Sequence, residues 1–197
     1  VEYDPIGDFC ITGKFKSSQK NDLSALLDMY DAAKQSKGIQ FIVVNAGIFK
    51  NAGVDIASEI SYALSMGAEY LTYLNEKGLK TDDIASRIRF HFAVGSNYFM
   101  EIAKFRAIKY LWAKIISAYG LSNNNNATTH IHCTNSEWNK TIYDPYVNML
   151  RTTTEAMSAI LGGVNSLTIL PFNSVYENAT EFSERIARNQ QLILKGE

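Results

Sequence analysis

The chain has 197 residues and a net charge of −1, with 19 Lys and Arg scattered among 20 Asp and Glu. That balance, with an isoelectric point near 6.4, leaves no basic stripe for nucleic acid or an anionic membrane surface. No apolar run approaches the roughly 20 residues that span a bilayer, no signal-peptide pattern opens the chain, and Cys10 and Cys133 lack the spacing of a disulfide framework or zinc knuckle, so a reducing cytoplasm is the expected compartment.

Val1–Tyr3 reads as the tail of a strand stopped by Asp4-Pro5, followed by a loop carrying Gly7 and Gly13. Leu23, Leu26, Leu27 and Tyr30 recur at helical spacing, with cap candidates between Ser17 and Asn21 and a stop at Gly38. Ile39–Asn45 is a short apolar, β-branched run, the pattern of a strand buried on both faces. A loop with Gly47 and Gly53 leads into a long amphipathic helix from Ile56 to Leu74, ended by Gly78. A short helical turn over Thr81–Ala85, with Thr81 as its N-cap, precedes a strand at Ile88–Val94. Helical spacing from Tyr98 to Tyr119 ends at Gly120, and the polar run Asn123–Asn126 reads as a surface loop. Thr128–Thr134 is a further strand, Tyr146–Leu161 a helix closed by Gly162-Gly163, Leu167–Leu170 a strand and Thr180–Leu194 a final helix.

Strand and helix therefore alternate, which demands an α/β fold of parallel strands joined by crossover helices. No GxGxxG follows any strand, so a dinucleotide-binding fold has no support. A (β/α)8 barrel takes roughly 250 residues, so residues 1–197 would supply about half of one. The start at Val1 and the end just past a helix read as cuts in a longer polypeptide, giving a partial domain truncated at both ends. Its two open strand edges are an association hazard that a second copy could satisfy.

In a barrel the chemistry lies in loops at the carboxyl ends of the strands, here Asn45–Gly53, Gly95–Asn97, His132–Trp138 and Leu170–Asn173. His130 and His132 are two apart on a strand and share a face, with His91 on the preceding strand. Three imidazoles could hold zinc and activate a water for hydrolysis, provided His91 faces the same way. The competing reading is packed histidines, since the loops offer no clustered Asp or Glu as further ligand or base. No Gly-x-Ser-x-Gly elbow exists, and Cys133 points away from its neighbour His132. Residue by residue, no complete catalytic set emerges.

Several longer motifs carry a resemblance. They are Asn51-Ala52-Gly53 with Gly67-Ala68-Glu69-Tyr70-Leu71, the run Gly95-x-Asn97-x-Phe99-Met100-Glu101-Ile102-Ala103-Lys104-x-Arg106-Ala107, Leu111-Trp112-Ala113, Asp144-Pro145-Tyr146-x-Asn148, and Arg185-Ile186-Ala187-Arg188-Asn189. In this order they resemble the adenosylcobalamin-dependent acyl-CoA mutases, methylmalonyl-CoA mutase above all. The resemblance implies about strands 4 to 8 of a (β/α)8 barrel. The family's Ser-Gly-Tyr-His-Met-Gln-Glu-Ala-Gly motif places a Tyr and a His over the thioester, and here those positions are Gly47 and Ile48. Its His-Cys-Gln-Thr-Ser-Gly-Trp motif reads His132 to Trp138 with Glu137 in place of glycine; its Gln-Ser-Leu-His-Thr-Asn motif reads Asn165 to Leu170, the His and Asn becoming Thr168 and Leu170, and Ser174 stands for an acidic residue. Arg87 is kept, while the Ser and Phe that line the CoA channel read Arg89 and His91. Together with the Thr168–Phe172 wording this is similar to the non-catalytic small subunits of heterodimeric mutases. The implied chain binds no cobalamin, leaves adenosylcobalamin to a catalytic large-subunit partner, and retains Arg87 and His132 as residual substrate contacts.

Overall fold

In a computed structural model, which describes residues 2–36, 38–120 and 129–196, four strands form one parallel sheet in the order β1-β2-β3-β4. The elements run α1 (Pro5–Thr12), α2 (Gln19–Ala33), β1 (Ile42–Asn45), α3 (Gly47–Asn51), α4 (Ile56–Glu76), α5 (Thr81–Ala85), β2 (Ile88–Val94), α6 (Tyr98–Ala118), β3 (His130–Asn135), α7 (Val147–Gly162), β4 (Ser166–Thr168) and α8 (Glu181–Gly196). The expected α/β class of parallel strands with crossover helices is therefore present. The strand expected at the front is reduced to one bridge, Tyr3 with Ile42.

Local corrections have local causes. The segment expected as a loop after Asp4-Pro5 is helix α1: Asp4 accepts a hydrogen bond from the Gly7 amide and proline takes the first turn, a start signal rather than a strand stop. Asp4 is half-buried and also accepts from the Asn45 amide and, at 2.5 Å, from the Tyr70 hydroxyl, so one carboxylate joins α1, β1 and α4. The Gly47–Asn51 loop is a short helix. Lys80, not Thr81, precedes the first turn of α5. The first strand starts at Ile42 rather than Ile39, and the last lies at Ser166–Thr168 rather than Leu167–Leu170. The Asn123–Asn126 run, Val1 and Thr128 lie outside the described residues.

One face of the sheet carries the helices. Phe90, Phe92, Ile131 and Cys133 are fully buried against them. Phe90 meets Trp112 edge-on at 4.8 Å between centroids, and Phe92 meets Phe105 in the same way at 6.1 Å. Each such ring contributes about 1.5–3 kcal/mol by leaving water. Gly67 lets α4 approach: a Cβ there would lie 2.9 Å from the Trp112 ring.

The same interface contains a cluster of charge. Lys104 of α6 is 1 % exposed, and its Nζ lies 2.9 Å from Glu59 of α4, 2.6 Å from Glu101 and 2.7 Å from the Ala93 carbonyl of β2. Lys50 of α3 approaches Glu101 at 3.4 Å, giving two ammonium groups for two carboxylates. Gly95 makes room, since a Cβ there would sit 2.9 Å from Lys50 Cε. Burial alone would lower the Lys104 pKa, but Glu59 and Glu101 outweigh it and raise it, so the ammonium stays charged. Removing that charge leaves the buried Glu59 carboxylate unopposed and Glu101 with only the longer contact to Lys50. Lys104→Met should therefore cost about 3–5 kcal/mol, read as a lower urea midpoint with little change in slope; an unchanged midpoint would contradict the burial of the cluster.

Candidate functional site at the carboxyl ends of the strands

The face of the sheet opposite the helices is polar. Side chains alternate along each strand, so Arg89 and His91 of β2, His130, His132 and Thr134 of β3, and Ser166 and Thr168 of β4 share it. His91 and His132 are register partners, their rings 5.2 Å apart. His91 Nε2 lies 3.2 Å from Thr134 Oγ1; His132 reaches Ser166 Oγ at 2.8 Å through Nδ1 and Thr168 Oγ1 at 3.5 Å through Nε2. Arg89 pairs with Glu2, which leads into the bridge of Tyr3.

The condition set for a zinc site, that His91 face the same way as His130 and His132, is met. The site itself is not: among the described residues no group of three His, Cys, Asp or Glu side chains could hold a metal ion. The rings of His91 and His132 instead turn to hydroxyls. Burial, followed by His132, pushes the His91 pKa down to about 4. Burial and then Arg89 lower those of His130 and His132. This is a face of uncharged imidazoles, and the hydrolase reading has nothing to stand on.

At the carboxyl ends, three asparagines that sequence reasoning did not single out as a set fasten the loops. Asn51 Oδ1 accepts from the Ser136 hydroxyl and the Glu137 amide, at 3.1 and 3.0 Å, joining the loops after β1 and β3. Asn135 accepts from the Leu170 amide and donates to Glu155 of α7 at 2.8 Å. Asn148 donates to the carbonyls of Thr141 and Phe172, joining the loops after β3 and β4. Glu155 is buried and is met at 2.8 Å by Lys140 through both oxygens. All three asparagines lie in the motifs Asn51–Gly53, His132–Trp138 and Asp144–Asn148, but no spacing announces the partners they bind.

Between these loops lies a cleft of about 480 Å³ lined by Asn51, Glu137, Trp138, Ser174 and Val175. Gly47 is buried at the start of α3, its backbone against Ala93, and Ile48 is half-buried beside it. Neither brings a proton donor to the mouth. His132 lies deeper, on the strand itself. Arg87 sits at the amino end of β2, where its guanidinium donates to the carbonyls of Ala33, Ser36 and Ile39 and closes the end of α2. The lining of the mouth is largely polar, and among the described residues no nucleophile–base or acid–base pair converges on it.

The family model described as methylmalonyl-CoA mutase matches residues 1–197. The chain is 48% identical over its full length to the methylmalonyl-CoA mutase small subunit of Porphyromonas gingivalis, covering 32% of that protein. It is 32% identical, also over its full length, to the large subunit from the same organism, covering 28% of it. Against the methylmalonyl-CoA mutase of Escherichia coli it is 40% identical over 74% of the chain and 20% of the relative. The chain belongs to the methylmalonyl-CoA mutase family, and it spans about a third or less of the length of these relatives.

The buried neutral histidine has a consequence in solution. His91 binds its proton less readily in the folded protein than its ordinary value near 6.5 allows, so unfolding takes up a proton below that pH. The contribution of the neutral His91 to stability is complete above pH 6.5 and is lost as the pH falls toward 4. His91→Phe should flatten the decline in unfolding free energy across that window, by at most about 3 kcal/mol; parallel declines in the two proteins would refute the assignment.

Proposed function

We propose that this chain is part of a methylmalonyl-CoA mutase small subunit that supports a catalytic large subunit in a heterodimer and runs no isomerisation of its own. The observation that carries the reading is the pair Gly47 and Ile48, at the mouth of β1, where the family motif has Tyr and His. A methylmalonyl thioester needs a hydrogen-bond donor to its carbonyl and a ring to shield the radical, and a bare backbone beside an aliphatic side chain supplies neither. The likeness to a named small subunit supports the same reading, as does the naming of small and large subunits in one organism.

Adenosylcobalamin does not fit the residues at this mouth. The positions that meet it in the family motifs are Thr168, Leu170 and Ser174, and the cleft is lined by Asn51, Glu137, Trp138 and Val175 besides Ser174. This set offers no imidazole to the cofactor, and it introduces a carboxylate at Glu137. In this proposal the cofactor belongs to the large subunit, which carries the conversion of methylmalonyl-CoA to succinyl-CoA. A residual acyl-CoA contact falls to His132; Arg87 would first have to release the three carbonyls that it holds.

The architecture belongs to the same proposal. The four strands are read as lying within strands 4 to 8 of a (β/α)8 barrel, with the stub at Tyr3 as the start of that set. The remaining barrel strands would close the open edges along β1 and β4. A fragment limited to residues 1–197 would pair through those edges with another copy. The compartment proposed is the cytoplasm; no helix among the described residues is long and apolar enough to cross a membrane.

The test is reconstitution. The full-length subunit given adenosylcobalamin and methylmalonyl-CoA should form no succinyl-CoA alone, and should copurify with a large subunit that does. Turnover by the isolated subunit, or failure to bind the large one, would overturn the reading.

A further inference from the structure

The outward faces of α6 and α7 are not those of helices that end at solvent. On α6, Phe99 is 80% exposed and Tyr110 62%, with Met100 and Leu111 beside them. On α7, Leu150 is 71% and Leu161 53% exposed, and they lie on one stripe with Met157. Large apolar side chains exposed in this number on two packed helices mark an interaction surface.

The position in the fold matters. These helices follow β2 and β3, the two central strands. Strands added to either edge of the sheet would cover β1 or β4 and leave this face open. Phe99, Met100 and Arg106 belong to the longest motif run of the sequence, yet all are exposed and none enters the core. Arg106 donates to the Leu161 carbonyl near the end of α7, but burial in the core does not account for Phe99 and Met100.

The charges are one-sided. The two acidic residues of these helices, Glu101 and Glu155, are buried in ion pairs. Every other charged residue on them, apart from buried Lys104, is basic: Arg106, Lys109, Lys114 and Arg151. Beside this face, between α4 and α6, a groove of about 570 Å³ is lined by Ile56, Ile60, Met100, Ala103 and Ala107. Its one carboxylate, Asp55, is engaged in capping α4. A groove sunk between helices suits a large apolar side chain better than the plane of a lipid bilayer.

We infer that the outward face of α6 and α7 is a docking surface for a protein that presents an apolar patch bordered by carboxylates. Resting on the small-subunit reading above, that protein is the catalytic large subunit. The basic residues steer the encounter, and the apolar stripe with its groove provides the contact area.

The experiment uses the full-length small subunit and its large subunit, with heterodimer affinity and association rate measured by biolayer interferometry. Phe99→Asp and Leu150→Asp, both at exposed positions, should each weaken binding by about 30-fold or more, with unchanged circular dichroism. Leu192→Asp on α8, equally surface-borne, should leave affinity unchanged. Arg106→Glu with Lys114→Glu should slow association and reduce its dependence on salt. Normal affinity in the Phe99 and Leu150 variants, with the unaltered pair binding, overturns the surface and leaves the small-subunit reading standing. An unaltered pair that does not bind overturns that reading. Should the small subunit alone dimerise, or sediment with phosphatidylserine vesicles, and lose that behaviour in the same variants, the choice of partner is overturned.

Discussion

Lys104 is the point on which this architecture turns. An ammonium group with no access to water is tolerated only when its surroundings return what hydration gave it, and three oxygens do so from α4, α6 and β2. Those contacts set where α6 lies along the sheet and hold α4 beside it. The Ala93 carbonyl is two residues from Gly95, where β2 gives way to its loop, so the cluster also positions the mouth. Lys50 brings the loop after β1 into the same charge balance. A cluster of this kind contributes less to net stability than apolar side chains of equal volume would, and its value here is the register it imposes.

Around that anchor the molecule separates two kinds of polar residue. On the helical side, buried charges are paired and serve packing. On the opposite face and at the loops, asparagines, hydroxyls and uncharged imidazoles predominate, with Arg89 paired to Glu2 and Lys140 to the buried Glu155. Asn135 and Asn148 use both ends of their amides and Asn51 its oxygen to tie neighbouring segments together, a geometry that fixes loops rather than activating a reactant. A site built for radical chemistry presents groups that are satisfied only when substrate arrives. Here most of these groups already have partners within the chain, with Arg89 Nε, His130 Nδ1 and Asn173 Oδ1 the buried exceptions.

The exposed side of α6 and α7 fits that picture. Phe99 and Tyr110 of α6 and Leu150 and Leu161 of α7 stay exposed on helices whose remaining charges, Arg106, Lys109, Lys114 and Arg151, are all basic. The two acidic residues that could have balanced those cations face inward, because each was needed to neutralise a buried lysine. Interior electrostatics thus shape the outside of the protein.

The sequence by itself determined the order of elements and the parallel class, because hydrophobic periodicity and glycine stops are local and survive translation into structure almost unchanged. It also showed Gly47 and Ile48 where the resemblance implies Tyr and His, and neither side chain can donate a hydrogen bond whatever its coordinates. Element starts were legible only where the capping signal was weighed correctly: Asp4-Pro5 opens α1, and its carboxylate finds partners 41 and 66 residues away that no pattern announces. The tertiary structure alone decided that His91 joins His130 and His132 on one face without forming a metal site. It alone turned Arg87 toward backbone carbonyls and sank Glu59, Glu101 and Lys104 out of water. The reason is common to all of these: the state of a polar side chain depends on which distant groups reach it, and that is settled by packing.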